Sequence, residues 1–174
     1  MPIETRRPPT EQQSAALSIY LNDHLAAATG GVELARRAAA AERGSPLGAP
    51  LRALAGDLEA DRRSLTELMA RLGVGVTGYK VAGARLAEKI GRLKPNGGWL
   101  HRSALAPVVE TEGLRLVAEH GSAAWRTLRV LAGSDARLDA DELDRLVDRA
   151  AEQAAVAGRL AAESAVRAFG GTVG

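Results

Sequence analysis

Four long stretches of the sequence repeat apolar residues at the spacing of an amphipathic helix, and this limits the fold more than any other feature. The stretches cover about residues 11–42, 50–72, 103–132 and 139–169. At ~1.5 Å per residue, each helix would be ~35–48 Å long. Helices of that length bury their apolar faces by lying side by side. The sequence therefore predicts an all-α protein, an antiparallel four-helix bundle.

Capping patterns mark where the helices begin and end. Thr10 followed by Gln13 has the spacing of a capping box, and Asp139 followed by Glu142 repeats it before the last helix. Gly73 follows the second apolar stretch and favours the left-handed conformation that ends a helix. These helix starts and stops thus predict two helical hairpins.

The connection between the two hairpins decides the topology. It covers about residues 73–102, and its pattern predicts a short extra helix over 79–93. A connection of this length can cross the whole bundle. The alternative is a local cap over one end, which gives an up-down-up-down bundle. Either way we expect one domain over 11–169, between tails at 1–10 and 170–174.

Composition excludes several classes of partner and chemistry. The chain has no Cys, so disulfides, thiolate metal sites and a cysteine nucleophile are excluded. It carries 23 basic and 21 acidic residues, a net charge of +2, with no run of five like charges, so we expect no nucleic-acid partner. No apolar stretch predicts a membrane span or signal peptide. We expect a cytoplasmic protein, and the Ala-, Gly- and Arg-rich composition indicates a bacterial source.

Polar residues are predicted in the middle of the bundle. Winding each helix at ~100° per residue places Asp61 on the inner face of the second helix and Gln153 at the edge of the inner face of the fourth, both near the middle of the bundle. His24 falls on the inner face of the first helix, about two turns from that level. Glu119 falls on the inner face of the third helix, with His120 beside it. That face is predicted to comprise Leu105, Val108, Val109, Leu116, Ala123, Thr127 and Val130, together with Glu112.

These side chains have two interpretations. Two carboxylates and a histidine can hold Mn, Fe or Zn, so Asp61, Glu119, His120 and His24 form a candidate metal site. Alternatively, the carboxylates are satisfied by Arg, Gln or water, because buried charges need partners. Arg62, Arg63 and Arg115 are the nearest cations in the sequence to supply them.

The plan of hairpin, crossover and hairpin over residues 11–169 resembles the ferritin-like superfamily. That family holds two metal ions with a Glu-x-x-His turn on each of two helices. The corresponding turns here are Glu59-Ala60-Asp61-Arg62 and Glu152-Gln153-Ala154-Ala155, and no Glu in the chain is followed three residues later by His. The resemblance therefore implies the fold, in a degenerate form without that family's metal motifs.

Three functions are compatible with this sequence. The first is a non-catalytic bundle that acts through association, as a homo-oligomer and most simply a homodimer, without a cofactor. The second is a metal-binding protein that holds Fe or Mn with a reduced carboxylate site. The third is a carrier that encloses a small apolar ligand between its Ala-rich helices. No catalytic residue is predicted.

Overall fold

The computed structural model describes residues 10–77 and 103–170, and all the regular secondary structure within these ranges is α-helical. The prediction of an all-helical protein with four long helices is confirmed. The predicted short helix over 79–93 lies outside the described residues. The four helices are α1 (Glu11–Ala41), α2 (Gly48–Leu72), α3 (Ala106–Leu131) and α4 (Ala140–Phe169).

The predicted helix ends are confirmed by their hydrogen bonds and backbone angles. Thr10 Oγ1 accepts from the Gln13 amide at 3.2 Å, and Gln13 Oε1 accepts from the Thr10 amide at 2.8 Å. Gly73 ends α2 with φ of 72°. The Asp139 side chain accepts from the amides of Asp141 and Glu142. Within the described residues, no helix is long and apolar enough to cross a membrane.

Cross-helix contacts describe how the helices pair. Hydrogen bonds between helices are Arg36–Glu59 for α1 and α2, Tyr20–Thr127 for α1 and α3, Asp61–Arg149 and Arg71–Glu142 for α2 and α4, and Arg129–Asp144 for α3 and α4. Asn22 of α1 also donates to Gly75, just beyond α2. Gly113 of α3 lies near Leu34 of α1, and Gly158 of α4 lies near Arg115 of α3.

The described core consists of two apolar clusters. One contains Leu34, Leu51, Leu54, Leu114 and Leu160, all no more than 3% exposed. The other contains Leu21, Leu68, Met69, Leu128 and Leu143, all fully buried. All four helices contribute to both clusters, and the polar residues of the middle of α2, α3 and α4 lie between them in sequence, whereas His24 lies between Leu21 and Leu25 of the second cluster. The two clusters therefore bracket the candidate site.

The predicted inner face of α3 is wrong. Leu116 is 66% exposed and Val130 is 78% exposed, and Glu119 is exposed as well. Of the residues predicted to face inward, Val108 alone is buried. The buried face lies on nearly the opposite side of the helix, so that Thr111 is buried instead of Glu112 and Ala118 instead of Glu119. It is composed of Val108, Thr111, Leu114, Ala118, Ala124, Trp125 and Leu128. This face wins because it carries the indole and two fully buried leucines, which fill the core better.

Candidate functional site

A small cavity lies between the two apolar clusters, at the middle of the bundle. Its volume is about 30 Å³, whereas one water needs about 10–15 Å³ measured in this way. Most of its wall is aliphatic, and five side chains bring polar atoms to it. The lining residues are His24, Ala28, Leu58, Asp61, Leu65, Val117, Ala118, His120, Gly121, Ala124, Trp125 and Gln153.

Asp61 is the acidic residue of this wall, and it is paired with Arg149 of α4. Arg149 Nε donates to Asp61 Oδ1 at 2.5 Å, and Arg149 Nη2 contacts the same oxygen while donating to Ser64 Oγ at 3.3 Å. Burial raises the pKa of the Asp61 carboxyl, and the Arg149 charge opposes that rise. The cation expected beside Asp61 is therefore supplied by α4. Arg62, which the sequence offered for this role, donates to Glu59 at 2.7 Å instead.

Two stacked imidazoles occupy the seam between α1 and α3. The ring centroids of His24 and His120 are 3.9 Å apart, and the rings are inclined by 15°. The Tyr20 ring packs against the same stack, with its centroid 4.4 Å from that of His24. His24 is buried and His120 is exposed. Burial and then the charge of His120 lower the pKa of His24 from 6.5 to about 4, so His24 is neutral at physiological pH.

Three buried nitrogen atoms have no hydrogen-bond partner. They are His24 Nδ1, Trp125 Nε1 and Gln153 Nε2, and within the described residues no other fully buried side-chain N or O is in this position. All three residues line the one cavity. Gln153 is near enough to Asp61 to help lower the pKa of that carboxyl, yet its Nε2 has no acceptor at hydrogen-bonding geometry. Each unsatisfied buried group costs about 1–3 kcal/mol.

The structure brings together three of the four predicted metal-site residues. Asp61, His24 and His120 all line the cavity. Glu119 does not, because it lies on the exposed side of α3 and accepts from Arg115 Nε at 2.8 Å. In the part of the chain that is described, no three His, Asp or Glu side chains are grouped closely enough to hold a metal ion. The Fe or Mn site stays a prediction.

Sequence reasoning missed two residues of the site. Trp125 lies seven residues after Ala118 and three before Leu128, a spacing that could have identified it as part of the inner face. Arg149 carried no comparable signal, since its partner Asp61 is 88 residues away in the chain. Ion pairs between helices depend on how far the helices are shifted along each other, and residue spacing within one helix does not contain that information.

Comparison of the chain with models of protein families, with curated proteins and with solved structures finds no match.

Proposed function

We propose that the protein binds a small, neutral molecule with a hydrogen-bond-accepting oxygen in the mid-bundle cavity, and that it acts as a non-catalytic carrier or sensor of that molecule. The observation that carries this proposal is the convergence of three unpartnered buried nitrogens on one cavity. Trp125 Nε1 and Gln153 Nε2 are donors. An oxygen acceptor that reaches both would supply the hydrogen-bond partner that the surrounding side chains do not provide.

The size of the cavity limits the ligand. A volume of about 30 Å³ accommodates a group of a few heavy atoms. This fits a carbonyl, hydroxyl or amide head group, while an aromatic ring needs a cavity of roughly 150 Å³. The aliphatic part of the wall, which includes Leu58, Leu65 and Ala118, suits the hydrocarbon attached to such a group. The expected ligand thus has a polar end and an apolar remainder.

The charges around the cavity favour a neutral ligand. Asp61 and Arg149 already neutralise each other. The lowered pKa of His24 keeps its imidazole uncharged. Apart from the exposed His120, the wall therefore offers no unpaired positive charge to compensate a buried anion, and burying an uncompensated charge is costly. A carbonyl or hydroxyl oxygen accepts hydrogen bonds without that cost.

We infer that the helices form an antiparallel bundle of ferritin-like topology. The contact pairs support this, because each of the four neighbouring helix pairs runs in opposite senses, which gives α2 and α3 the same direction. The ion pair between Arg167 and Glu42 joins the C-terminal ends of α4 and α1 at 3.5 Å, as expected if these two helices run parallel. The end of α2 and the start of α3 then lie at opposite ends of the bundle, which favours the crossover over the local cap.

The indole of Trp125 provides a direct test of ligand binding. The chain has two tryptophans, so Trp99→Phe leaves Trp125 as the one indole resonance in a ¹H–¹⁵N spectrum. Titration with acetamide should shift this resonance in a saturable manner. The ceiling of about 1.5 kcal/mol per heavy atom allows at most ~6 kcal/mol for four atoms, and we expect a Kd of roughly 1 mM, which is ~4 kcal/mol. Acetate, as the anionic analogue, should bind more weakly.

Two variants separate binding in the cavity from binding elsewhere. Gly121 lines the cavity, and a Cβ placed there meets no atom within 4 Å, so Gly121→Leu should fill the space and abolish the saturable shift. Gln153→Met keeps the shape of the side chain but removes the donor. It should weaken binding about two- to twelvefold, by about 0.5–1.5 kcal/mol. A shift that stays linear, or that Gly121→Leu leaves unchanged, would mean that the cavity holds only solvent.

Metal binding is the second candidate. The observation that favours it is the unpartnered, neutral His24 Nδ1 on the same cavity as Asp61 and His120, since neutral imidazole and carboxylate are common metal ligands. Elemental analysis of protein purified without added metal or chelator tests it. About one Fe or Mn per chain that is lost in Asp61→Ala would support the metal site, whereas metal-free, folded protein would exclude it.

A further inference from the structure

Helix α3 has a second apolar face that the described part of the bundle does not cover. Val109, Leu116, Ala123 and Val130 follow each other at seven-residue intervals on the side opposite to the buried face. We call these four residues the outer stripe. Leu116 and Val130 are 66% and 78% exposed, and Leu105, just before the helix, is 43% exposed.

The outer stripe has the geometry of a helix-pairing surface. Its 21-residue span corresponds to ~32 Å of helix. Apolar residues at seven-residue intervals stay on one side of a helix that packs along a second helix. Single exposed apolar residues are ordinary on a protein surface, but contiguous ones mark interaction sites. The stripe is the same face that the sequence predicts as buried, so its pattern is that of a covered surface.

We propose that the outer stripe pairs with the outer stripe of a second copy of this chain, with the two α3 helices antiparallel about a two-fold axis near Glu119. Two charged residues support this partner. Glu112 and Arg126 lie beside the stripe, each seven residues from Glu119, and neither has an ion pair within the described residues. About that axis, Glu112 of each copy meets Arg126 of the other, so the favourable contact occurs twice.

The same charges specify the orientation. In a parallel pair, Glu112 would meet Glu112 and Arg126 would meet Arg126, which is repulsive. Glu119 of one copy lies near Glu119 of the other on the proposed axis, and each is already paired with its own Arg115 at 2.8 Å. The self-complementary charges thus favour a closed dimer over open association.

Charge reversal provides a sharp test in full-length protein. Wild type should sediment at twice the 18.1 kDa chain mass. Glu112→Arg and Arg126→Glu should each weaken the homodimer at least tenfold, because each places two like-charged pairs across the axis. An equimolar mixture of these two variants should form a heterodimer, since both contacts are then restored between unlike chains. Glu163→Arg, an exposed reversal on α4, is the matched control and should leave the dimer unchanged.

Leu116→Lys separates a second copy from the other candidate occupant, the chain between Thr77 and Ser103. We expect a monomer with unchanged helix content and thermal stability. A monomeric wild type that Leu116→Lys destabilises would show that the stripe is covered within one chain, and would overturn the proposal. A dimer that survives both charge reversals, or two variants that stay monomeric when mixed, would overturn it as well.

Discussion

The close approach of α1 and α3 at Gly31 leads to a quantitative prediction for Gly31→Ala. A Cβ atom at this position would overlap Val117 Cγ1 and lie 3.2 Å from Val117 Cγ2. Ordinary carbon contacts are ~3.5–4.0 Å, so the methyl group does not fit at the present separation of the two helices. Val117 relieves little of this by rotation, because a β-branched side chain in a helix strongly prefers one rotamer. The two helices must therefore move apart.

Two opposing effects determine the size of the change. Alanine is favoured over glycine inside a helix by about 0.8–1.0 kcal/mol. Inserting a methyl group into a filled contact costs about 1–3 kcal/mol. Gly31→Ala should therefore lower the free energy of unfolding by up to about 2 kcal/mol. Gly56→Ala is the matched control, because a Cβ on this exposed α2 residue meets nothing within 4 Å, and it should stabilise by nearly the full helix-propensity term.

Urea denaturation followed by far-UV circular dichroism measures these differences. The decisive quantity is the gap between Gly31→Ala and Gly56→Ala, which should be about 1–3 kcal/mol, since the propensity gain is common to both. Adding Val117→Ala to Gly31→Ala should recover most of that gap and show the two sites to be coupled. If Gly31→Ala stabilised the protein as much as Gly56→Ala, or if the double variant showed no coupling, the helices would not touch as described.

Two further predictions concern pH. Burial lowers the pKa of His24 from 6.5 to about 4. The contribution of the buried neutral ring to the free energy of unfolding is therefore complete above the pKa of the unfolded chain and is lost as the pH falls toward 4, because the unfolded chain binds the proton first. Wild type should lose up to about 2 kcal/mol of unfolding free energy between pH 7 and pH 5. His24→Gln should show a smaller loss in urea titrations, and an identical loss would count against the burial of this ring. Burial raises the pKa of the Asp61 carboxyl above 3.8 in the folded protein. As the pH rises from 3.8 through that higher pKa, the carboxyl loses its proton more readily in the unfolded chain, and the free energy of unfolding falls. Asp61→Asn should therefore gain stability relative to wild type over that range. A relative stability of Asp61→Asn that falls with rising pH would mean that Arg149 outweighs desolvation.

The sequence predicted the parts of the fold that depend on local physics. The capping box of Thr10 and Gln13, the left-handed end at Gly73 and the cap at Asp139 are each formed by residues within four positions of one another. The burial of Asp61 and His24 followed from single inner faces on α1 and α2, whose apolar residues have no competing arrangement.

The prediction failed where one helix offers two apolar faces. On α3 the regular face through Leu116 and Val130 is exposed, and the face through Leu114 and Trp125 is buried. Periodicity alone does not decide between two such faces, since the choice depends on which side chains fill the space left by the other helices. Glu119 was misplaced for this reason, and Trp125 was missed with it.

The pairing of Asp61 with Arg149 also has a consequence for how the hairpins align along the bundle axis. Leucine and alanine faces pack almost equally well after a slide of one helical turn, ~5.4 Å, so apolar contacts alone leave the vertical register of α2 against α4 weakly specified. A slide that brought Gln153 to the level of Arg149, four residues along α4, would leave the Asp61 carboxylate without its guanidinium, at the cost of an unpaired interior charge. The ion pair thereby favours one alignment of α2 against α4. That alignment also sets the level at which Trp125, Gln153 and His24 line the same cavity.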